Sequence, residues 1–387
     1  MKILFCIHSL DPALGGPLEY LRQSSLVFAQ RGQTVEVISL DAPDFPGARE
    51  FPGEVYALGP GRGSYGYGPR LVPWLKRRQA DFDAVVVHGI WNYLSFGVWR
   101  VLHKTTTPWF VFPHGMLDPW FKRTYPLKHF KKLLYWPWAE YRVLRDASAV
   151  LFTSEEERRL ARESFALYRC REVVVNFGTA APEVDFSAAR REFLDRFPEL
   201  REKDLLLFLG RLHEKKGCEE LLRAFATSAS DSPRLHLVMA GPCADQDYLG
   251  HLKRLTNQLG AAGRVTFSGL LSGNSKWGAF AAAEAFVLPS HQENFGIAVV
   301  EALACGKPVL LSKKINIWRE IVDDGAGYVE EDDLAGAQRL FARWGETSPA
   351  QRQEMSHQAR RCFAEHFEIN RAVDSLLDVL QHPPSDA

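Results

Sequence analysis

Residues 285–312 read AFVLPSHQENFGIAVVEALACGKPVLLS, and their reading decides the fold. A β-rich run, AFVLPS, gives way to a polar loop carrying His291, Gln292 and Glu293. An apolar stretch of helical length then begins near Phe295–Gly296 and stops at Gly306, before Pro308, and a second β-rich run, KPVLLS, follows. Strand, short helix, strand is the repeating unit of parallel sheets, because parallel neighbours need a crossover between them. Inside the apolar stretch stands one carboxylate, Glu301. A helix that is apolar all round is a buried one, and desolvating an unpaired carboxylate on it is expensive. Either a cationic side chain elsewhere pairs with Glu301, or a group from outside the sequence does.

Working outward, the same alternation runs the length of the chain. In the first half β-rich runs occur at KILFCIH, TVEVISL, EVYAL, AVVVHG, WFVFP and AVLFT, with helices expected over residues 17–31, 91–103, 125–145 and 155–165. Ser154 followed by Glu157 fits a capping box at the start of the last of these. A second series begins at LLLFLG and continues through LHLVMAG, RVTFSG, AFVLPS and KPVLLS. Periodicity lapses at FGTAAPEVD, residues 177–185, which places a junction there. The expected class is α/β: two Rossmann-like doubly wound domains facing an interdomain cleft, with ligands at the carboxyl ends of the strands. The boundaries are residues 1–178 and 179–366, with a C-terminal helix over about 367–381 packing back on the first domain. HPPSDA at the end reads as disordered.

Composition narrows the function classes. The 387 residues are 46% hydrophobic and 24% charged, and 47 basic side chains balance 47 acidic ones, so no global field favours nucleic acid and anion recognition has to be local. Six cysteines stand singly, without metal-type spacing, which suggests reduced thiols and a cytoplasmic setting. MKILFCIHSL meets Asp11 and lacks a small-residue cleavage site, so it reads as a first strand and not a signal peptide. No apolar run reaches the ~18 residues of a membrane span.

Three loops could carry chemistry. After the first strand, Gly15 and Gly16 precede Pro17, which suits the first position of a helix; the loop is either a plain turn or a close approach to an anion. The G-x-G-x-x-G spacing of a nicotinamide site is absent. FLGRLHEKKG, residues 208–217, sets Gly210, Arg211 and Lys216 on one strand-to-helix loop. A guanidinium fork and an ammonium point charge suit a diphosphate, and surface solvation is the alternative, which is how Lys215 reads. The third loop is the opening one, where the amides at the helix start would bind an anion. Glu301 lies roughly 7 Å further along the helix, where a ribose diol would satisfy its carboxylate.

These residues carry a resemblance. Glu293 to Glu301, with Phe295–Gly296 between and EALACGKPV after, resembles the hallmark of the retaining glycosyltransferases of family 4, which have the GT-B fold. GRLHEKKG is similar to their diphosphate loop, Gly15–Gly16 to their glycine loop, and FPHGML and FTSEEE to landmarks of their acceptor half. The resemblance implies that Glu293 contacts the transferred sugar, and that backbone amides from Asn294 through Phe295 and Gly296 to Ile297 hold sugar and phosphate. It assigns Glu301 to the ribose, Arg211 and Lys216 to the leaving diphosphate, Gly16 to the diphosphate from the other domain, and His114 to the neighbourhood of the reacting sugar. Asn294 stands where the family usually has Gly, and VNFG where it has Pro-Asn-Gly. By itself, His114 at a strand end reads as a hydrogen-bonded surface residue, and it is the resemblance that favours a role for it; His8 and His88 also end strands, where either could line the acceptor cleft.

No metal or other cofactor is expected. Asp81-Phe82-Asp83 precedes its strand, the wrong edge for a ligand, and Asp245-Gln246-Asp247 reads as the cap of a helix near Tyr248. Residues 120–145, WFKRTYPLKHFKKLLYWPWAEYRVLR, set Leu127, Phe130, Leu134, Tyr141 and Leu144 at near-helical spacing, with five basic residues, Lys122, Arg123, Lys128, Lys131 and Lys132, within eleven positions. That string fits a helix docked on an anionic membrane, with Phe121, Tyr125, Tyr135 and Trp136 at headgroup depth. It fits equally a core-packing helix with a solvated lysine face, and Pro137 should interrupt it. The expected activity is a hexosyltransferase of the retaining type. It would move a sugar from a nucleotide-diphosphate donor to a glycan or lipid-linked acceptor in polysaccharide or glycoconjugate synthesis, in the cytoplasm or at the inner face of the membrane. The alternatives are an epimerase of the same fold or a silent binding subunit of a synthase complex.

Overall fold

The computed structural model describes residues 1–11, 15–229 and 232–384. The chain divides into two compact units, one formed by Met1–Ala180 with Glu368–Ala387 and the other by Ala181–Phe367.

The first unit holds seven strands: β1 (Lys2–Ile7), β2 (Thr34–Ser39), β3 (Glu54–Ala57), β4 (Ala84–His88), β5 (Trp109–Phe112), β6 (Ala149–Phe152) and β7 (Glu172–Val174). Every pairing is parallel, in the order β3-β2-β1-β4-β5-β6-β7. The central strands β4, β5 and β6 are buried along their whole length, as expected where helices cover both faces of a sheet. The second unit holds β8 (Asp204–Leu209), β9 (Leu235–Ala240), β10 (Val265–Gly269), β11 (Ala283–Leu288), β12 (Val309–Ser312) and β13 (Gly327–Glu330). Its order, β10-β9-β8-β11-β12-β13, is also all parallel. In both sheets the chain winds outward in one direction from the first strand, then crosses back to continue on its other side. This leaves a topological switch point between β1 and β4 and another between β8 and β11, and loops that diverge at a switch point open a crevice for ligands.

Sequence reasoning finds eleven of these strands and misses β7 and β13. Both lie at a sheet edge, with three and four residues respectively, too short to show either alternation or a sustained apolar run. The helix expected over 125–145 is three helices, Trp120–Thr124, Pro126–Tyr135 and Glu140–Asp146. Pro126 takes the first position of the second, where its missing N–H costs nothing, and Pro137 falls in the break before the third. The tail forms the helix Pro349–Cys362, a π turn over Phe363–Phe367 and the helix Ile369–Gln381. That last helix belongs to the first unit. It packs on the helix Gly16–Gln30, Arg31 reaches Asp374 at 3.0 Å, and the Ile369 amide donates to the Thr179 carbonyl. The expected disorder over residues 382–387 falls partly on Ser385–Ala387, outside the described residues.

The capping box at Ser154 is only half formed. The Glu157 amide does donate to the Ser154 hydroxyl, at 3.1 Å. The Glu157 carboxylate, 3% exposed, instead accepts from the Gly115 amide at 2.6 Å and from the Thr153 amide and hydroxyl at 2.7 and 2.8 Å. A buried charge thus ties the loop after β5 to the end of β6. Glu157→Ala should lower stability in urea unfolding by at least about 1.5–3 kcal/mol, the cost of losing charged hydrogen bonds from buried donors. Glu157→Gln, which keeps one acceptor oxygen, should lose less. An alanine variant as stable as the parent would show that this carboxylate does not hold the loop.

Candidate functional site

Around the switch point of the second unit, four loops are hydrogen-bonded into one surface. The loop after β8 continues the pairing of its strand, with Gly210 donating to Ala240 and Leu212 to Pro242, both at 2.9 Å. It then makes a 3-10 turn, Glu214–Lys216, that ends at Gly217 in the left-handed region, φ 67. A Cβ at Gly217 would sit 2.2 Å from the Pro289 carbonyl, so only glycine permits both the conformation and the approach. Across that contact the Lys215 carbonyl accepts from the His291 amide at 2.8 Å and from the buried Ser290 hydroxyl at 3.0 Å. Lys215, read as surface solvation, therefore contributes through its backbone. On the far side Glu293 pairs with the loop after β12: its amide donates to the Lys314 carbonyl and its carbonyl accepts from Asn316. The Ser312 hydroxyl donates to the Ser290 carbonyl.

This stitching brings Lys216 and Glu293, 77 positions apart in sequence, into a direct ion pair. Both side chains are mostly buried, 16% and 21% exposed. Burial, with the neighbouring charges of Lys215 and Arg211, draws the Lys216 ammonium down to about 7. Arg211, by contrast, is exposed on the same loop and forms no ion pair with any described residue. The two cations differ accordingly: one is held by a counter-ion, the other points to solvent with its charge unsatisfied.

The helix after the Glu293 loop is Ile297–Ala304, with Gly296 as its N-cap at φ 74. A Cβ on Gly296 would meet Glu293 Cγ and Val299 Cγ2, each at 3.2 Å, so glycine here lets the chain turn tightly beneath the carboxylate. Phe295 is buried and packs edge-on against Phe367, and the Asn294 side chain accepts from Asn316 at 3.3 Å. Glu301 is 8% exposed, and its partner is in the chain: Lys276, on the helix Gly273–Ala282, donates to its Oε1 at 2.8 Å. An external diol is thus not required to make burial of Glu301 tolerable. The sequence offers a signal for Lys276, the one lysine in the stretch SGNSKWGAFAAAEAFVL, but not its pairing.

A second charged cluster braces the surface. His291 Nδ1 lies 3.0 Å from Asp332 and its Nε2 lies 3.7 Å from Glu220. Its hydrogen bonds to Asp332 and then Glu220 push its pKa up to about 9, so it is an imidazolium at neutral pH. The same contact holds Glu220 below its usual value. Asp332, which burial pushes up, is nonetheless held below its usual value by the His291 hydrogen bond and the charge of Lys314.

In the first unit the switch point gathers the three strand-end histidines. His88 is buried and its Nδ1 lies 2.9 Å from His114 Nε2, the rings stacked. Burial lowers both pKa values, that of His114 to about 3, so both are neutral. His88 Nε2 is buried with no hydrogen-bond partner among the described residues. A stranded acceptor is more tolerable than a stranded N–H, so His88 donates to His114, and His114 presents its Nδ1–H outward as a donor. His114 holds φ 50, a strained value for a residue with a side chain, on the loop pinned by Glu157. His8 is half-buried against Gly66. Gly15, φ 78, is the N-cap of the helix that begins at Gly16; Pro12–Leu14 of that loop lie outside the described residues.

The aspartate triplets have structural partners. Asp83 accepts from the Lys2 amide, Asp81 pairs with Arg78, and Asp245 caps the helix Gln246–Gln258 through the amides of Asp247 and Tyr248. Among the described residues one group could gather around an ion, Asp324, Glu365 and His366, on elements separate from the four loops.

Comparison with known proteins gives the same picture of the architecture. Residues 190–361 match the family Glycosyl transferases group 1, and residues 15–178 match the Glycosyl transferase 4-like domain. An alpha-D-kanosaminyltransferase of Streptomyces kanamyceticus is 26% identical over 250 residues, 62% of this chain and 62% of that protein. The matched stretches span between 28% and 62% of the lengths of the curated relatives. Among solved structures, a sucrose-phosphate synthase from Thermosynechococcus elongatus superposes with a TM-score of 0.78 at 19% identity, covering 98% of each chain. Anabaena HepE, in complex with UDP-glucose, does so at 0.75 and 18% identity, covering 98% of this chain and 99% of its own. At these identities the likeness establishes the GT-B fold.

The clamp around His291 is testable by pH. Because its folded pKa is raised, the stability it contributes is complete below its ordinary value of 6.5 and is lost as pH rises through about 9. The depressed carboxylates act oppositely and lose their contribution in acid. His291→Ala should therefore lower stability by about 1.5–3 kcal/mol near pH 6 and by much less at pH 10. A His291 ring resonance titrating near 6.5 by NMR would contradict the clamp.

Proposed function

We propose that this chain, which belongs to the glycosyl transferases group 1 over residues 190–361 and is a glycosyl transferase 4-like domain over residues 15–178, transfers a sugar from a nucleotide-diphosphate donor to a glycan or lipid-linked acceptor, with retention. The observation that carries this reading is the Lys216–Glu293 pair at the carboxyl ends of β8 and β11, with Arg211 beside it and unpaired among the described residues. In the mechanism that follows, the diphosphate docks on Arg211 and on the amides that precede the helix Ile297–Ala304, and draws the Lys216 ammonium from Glu293. Glu293, relieved of its counter-ion, accepts hydrogen bonds from the hydroxyls of the sugar. Glu301, fixed by Lys276, accepts from the ribose. Charge grows on the departing phosphate, and groups fixed in place beforehand stabilise it without reorganisation. These cations and amides take the role a metal fills in other sugar-nucleotide enzymes, so the reaction is metal-independent. His114, neutral, donates its Nδ1–H to a hydroxyl of the reacting sugar, and the glycine loop at Gly15–Gly16 approaches the diphosphate.

Support for a sugar-nucleotide donor comes from the Anabaena relative, whose structure holds UDP-glucose. No helix among the described residues is long and apolar enough to cross a membrane. We place the reaction in the cytoplasm, at the inner face of the membrane, with residues 120–145 in contact with anionic lipid. Of the aromatic residues expected at headgroup depth, Tyr125 is exposed and Phe121 half-buried, whereas Trp136 is 3% exposed and belongs to the core. Tyr135 is likewise half-buried, against Tyr65.

Arg211→Ala and Lys216→Ala should each cut turnover by about 10²–10³, with activity unaffected by chelator. The two differ in stability: Arg211→Ala should melt like the parent, whereas Lys216→Ala leaves Glu293 without its cation and should lower stability by about 1–3 kcal/mol. A strict requirement for a divalent metal would overturn the charge assignment.

Nucleoside diphosphate affinity should also depend on pH. The ligand binds the protonated ammonium, and Lys216 sits at about 7. Affinity should be level below that pH, fall above it, and be accompanied by proton uptake near pH 8 in calorimetry. Lys216→Arg, which stays charged, should flatten the profile; an unchanged pH dependence in that variant would remove Lys216 from the phosphate site.

A further inference from the structure

His88 is a polar residue in an apolar place. It ends β4, paired with Ile7 of β1 on one side and Phe112 of β5 on the other, and is 3% exposed. Phe5, Tyr20 and Phe112, all fully buried, wall its ring, with ring centres 5.6, 6.4 and 5.2 Å away. A neutral imidazole carries one N–H and one lone pair, and in this aromatic box the Nε2 atom meets no polar partner among the described residues. Leucine or phenylalanine would fill the space with no polar atom to desolvate, so for packing alone the imidazole is an unfavourable choice. A buried polar atom without a partner calls for a reason.

The other ring nitrogen supplies one. His88 Nδ1 meets His114 Nε2 at 2.9 Å, with the two rings within 17° of parallel. His114 itself is half-buried, on the loop after β5, with Phe112 and Phe177 flanking its ring. Two separate contacts fix it. Glu157 holds the backbone of the loop through the Gly115 amide, and His88, set in the middle of the sheet, holds the ring. Which nitrogen of an imidazole keeps the proton is decided by the hydrogen bond its other nitrogen makes.

We propose that His88 is a positioning residue of the sugar transfer. It keeps the His114 ring in one orientation and one tautomer, so that His114 offers the reacting sugar an N–H and not a lone pair. His88 touches neither substrate; it acts through His114, from a strand paired on both sides, which is where a supporting group is held most rigidly. The unsatisfied Nε2 is the cost in stability of that arrangement. The role in transfer rests on the proposed transferase activity, whereas the position of the proton on each ring does not.

The test is nitrogen-15 NMR of the full chain labelled at its histidines, at neutral pH. In the parent both His88 and His114 should be protonated at Nδ1, with a scalar coupling between His88 Nδ1 and His114 Nε2 across the hydrogen bond. A His114 ring protonated at Nε2, or no coupling, overturns the proposal. His88→Leu should release the ring, so that the Nε2-protonated form, which free imidazole favours, appears beside the other. In His88→Asn the side-chain amide stands where Nδ1 does and still has an N–H to donate, and the Nδ1-protonated form should return. Turnover separates positioning from packing. With whichever of UDP-, GDP- and ADP-glucose the parent consumes fastest, kcat should fall about tenfold or more in His88→Leu and be largely restored in His88→Asn. Affinity for the matching nucleoside diphosphate should be the same in all three proteins. An unchanged tautomer or kcat in His88→Leu, equal losses in the two variants, or a loss of diphosphate affinity in step with kcat overturns the assignment. If the parent consumes none of the three, the transferase reading fails, while the coupling and the proton positions still decide whether His88 sets the His114 ring.

Discussion

A single ion pair organises the second unit. Lys216 and Glu293 come from loops that leave neighbouring strands in opposite directions, and each is mostly buried, so neither tolerates loss of the other. The rest of the surface exists to make them meet. Gly217 lets the first loop press against Pro289, Ser290 and His291 hold the Lys215 carbonyl, Gly296 folds the chain beneath Glu293, and Ser312 and Asn316 anchor the third loop. A buried ammonium whose one ionic partner among the described residues can be outcompeted is poised to be transferred to an incoming polyanion. Stability and anion binding therefore draw on the same charge.

Much of this was legible in the sequence because strand and loop chemistry are local. Continuous apolar runs gave the buried central strands, and glycine beside a cation or a carboxylate marked the loops at their carboxyl ends. What was not legible depended on contacts distant in the chain. The partner of Glu301 is a lysine 25 positions earlier on another helix, and sequence spacing alone could not separate it from a ligand. The brace around His291 draws on residues far apart in the chain, Glu220 on the helix Cys218–Ala229, His291 and Asp332. Glu157 was visible as a capping residue, but its carboxylate serves the loop that carries His114. In each case the type of residue was informative and its partner was not.

The same contrast explains residues 120–145. Their amphipathic spacing is compatible with either a core or an interface, since both need one apolar face. Only the burial of individual positions decides, and it splits the segment: Leu144 and Trp136 turn inward, while Leu127, Phe130 and Leu134 turn outward. Proline makes the split possible by ending one helix before the next begins.

The central claim is that the Lys216–Glu293 pair is the resting form of a diphosphate site. A crystal structure of the chain with a bound nucleoside diphosphate tests it most directly. The account predicts a phosphate oxygen within hydrogen-bonding distance of Lys216 Nζ, the Lys216–Glu293 contact opened, and the ribose hydroxyls on Glu301 with Lys276 still in place. A diphosphate bound elsewhere, with Lys216 and Glu293 still paired and no ligand atom near Glu301, would contradict it.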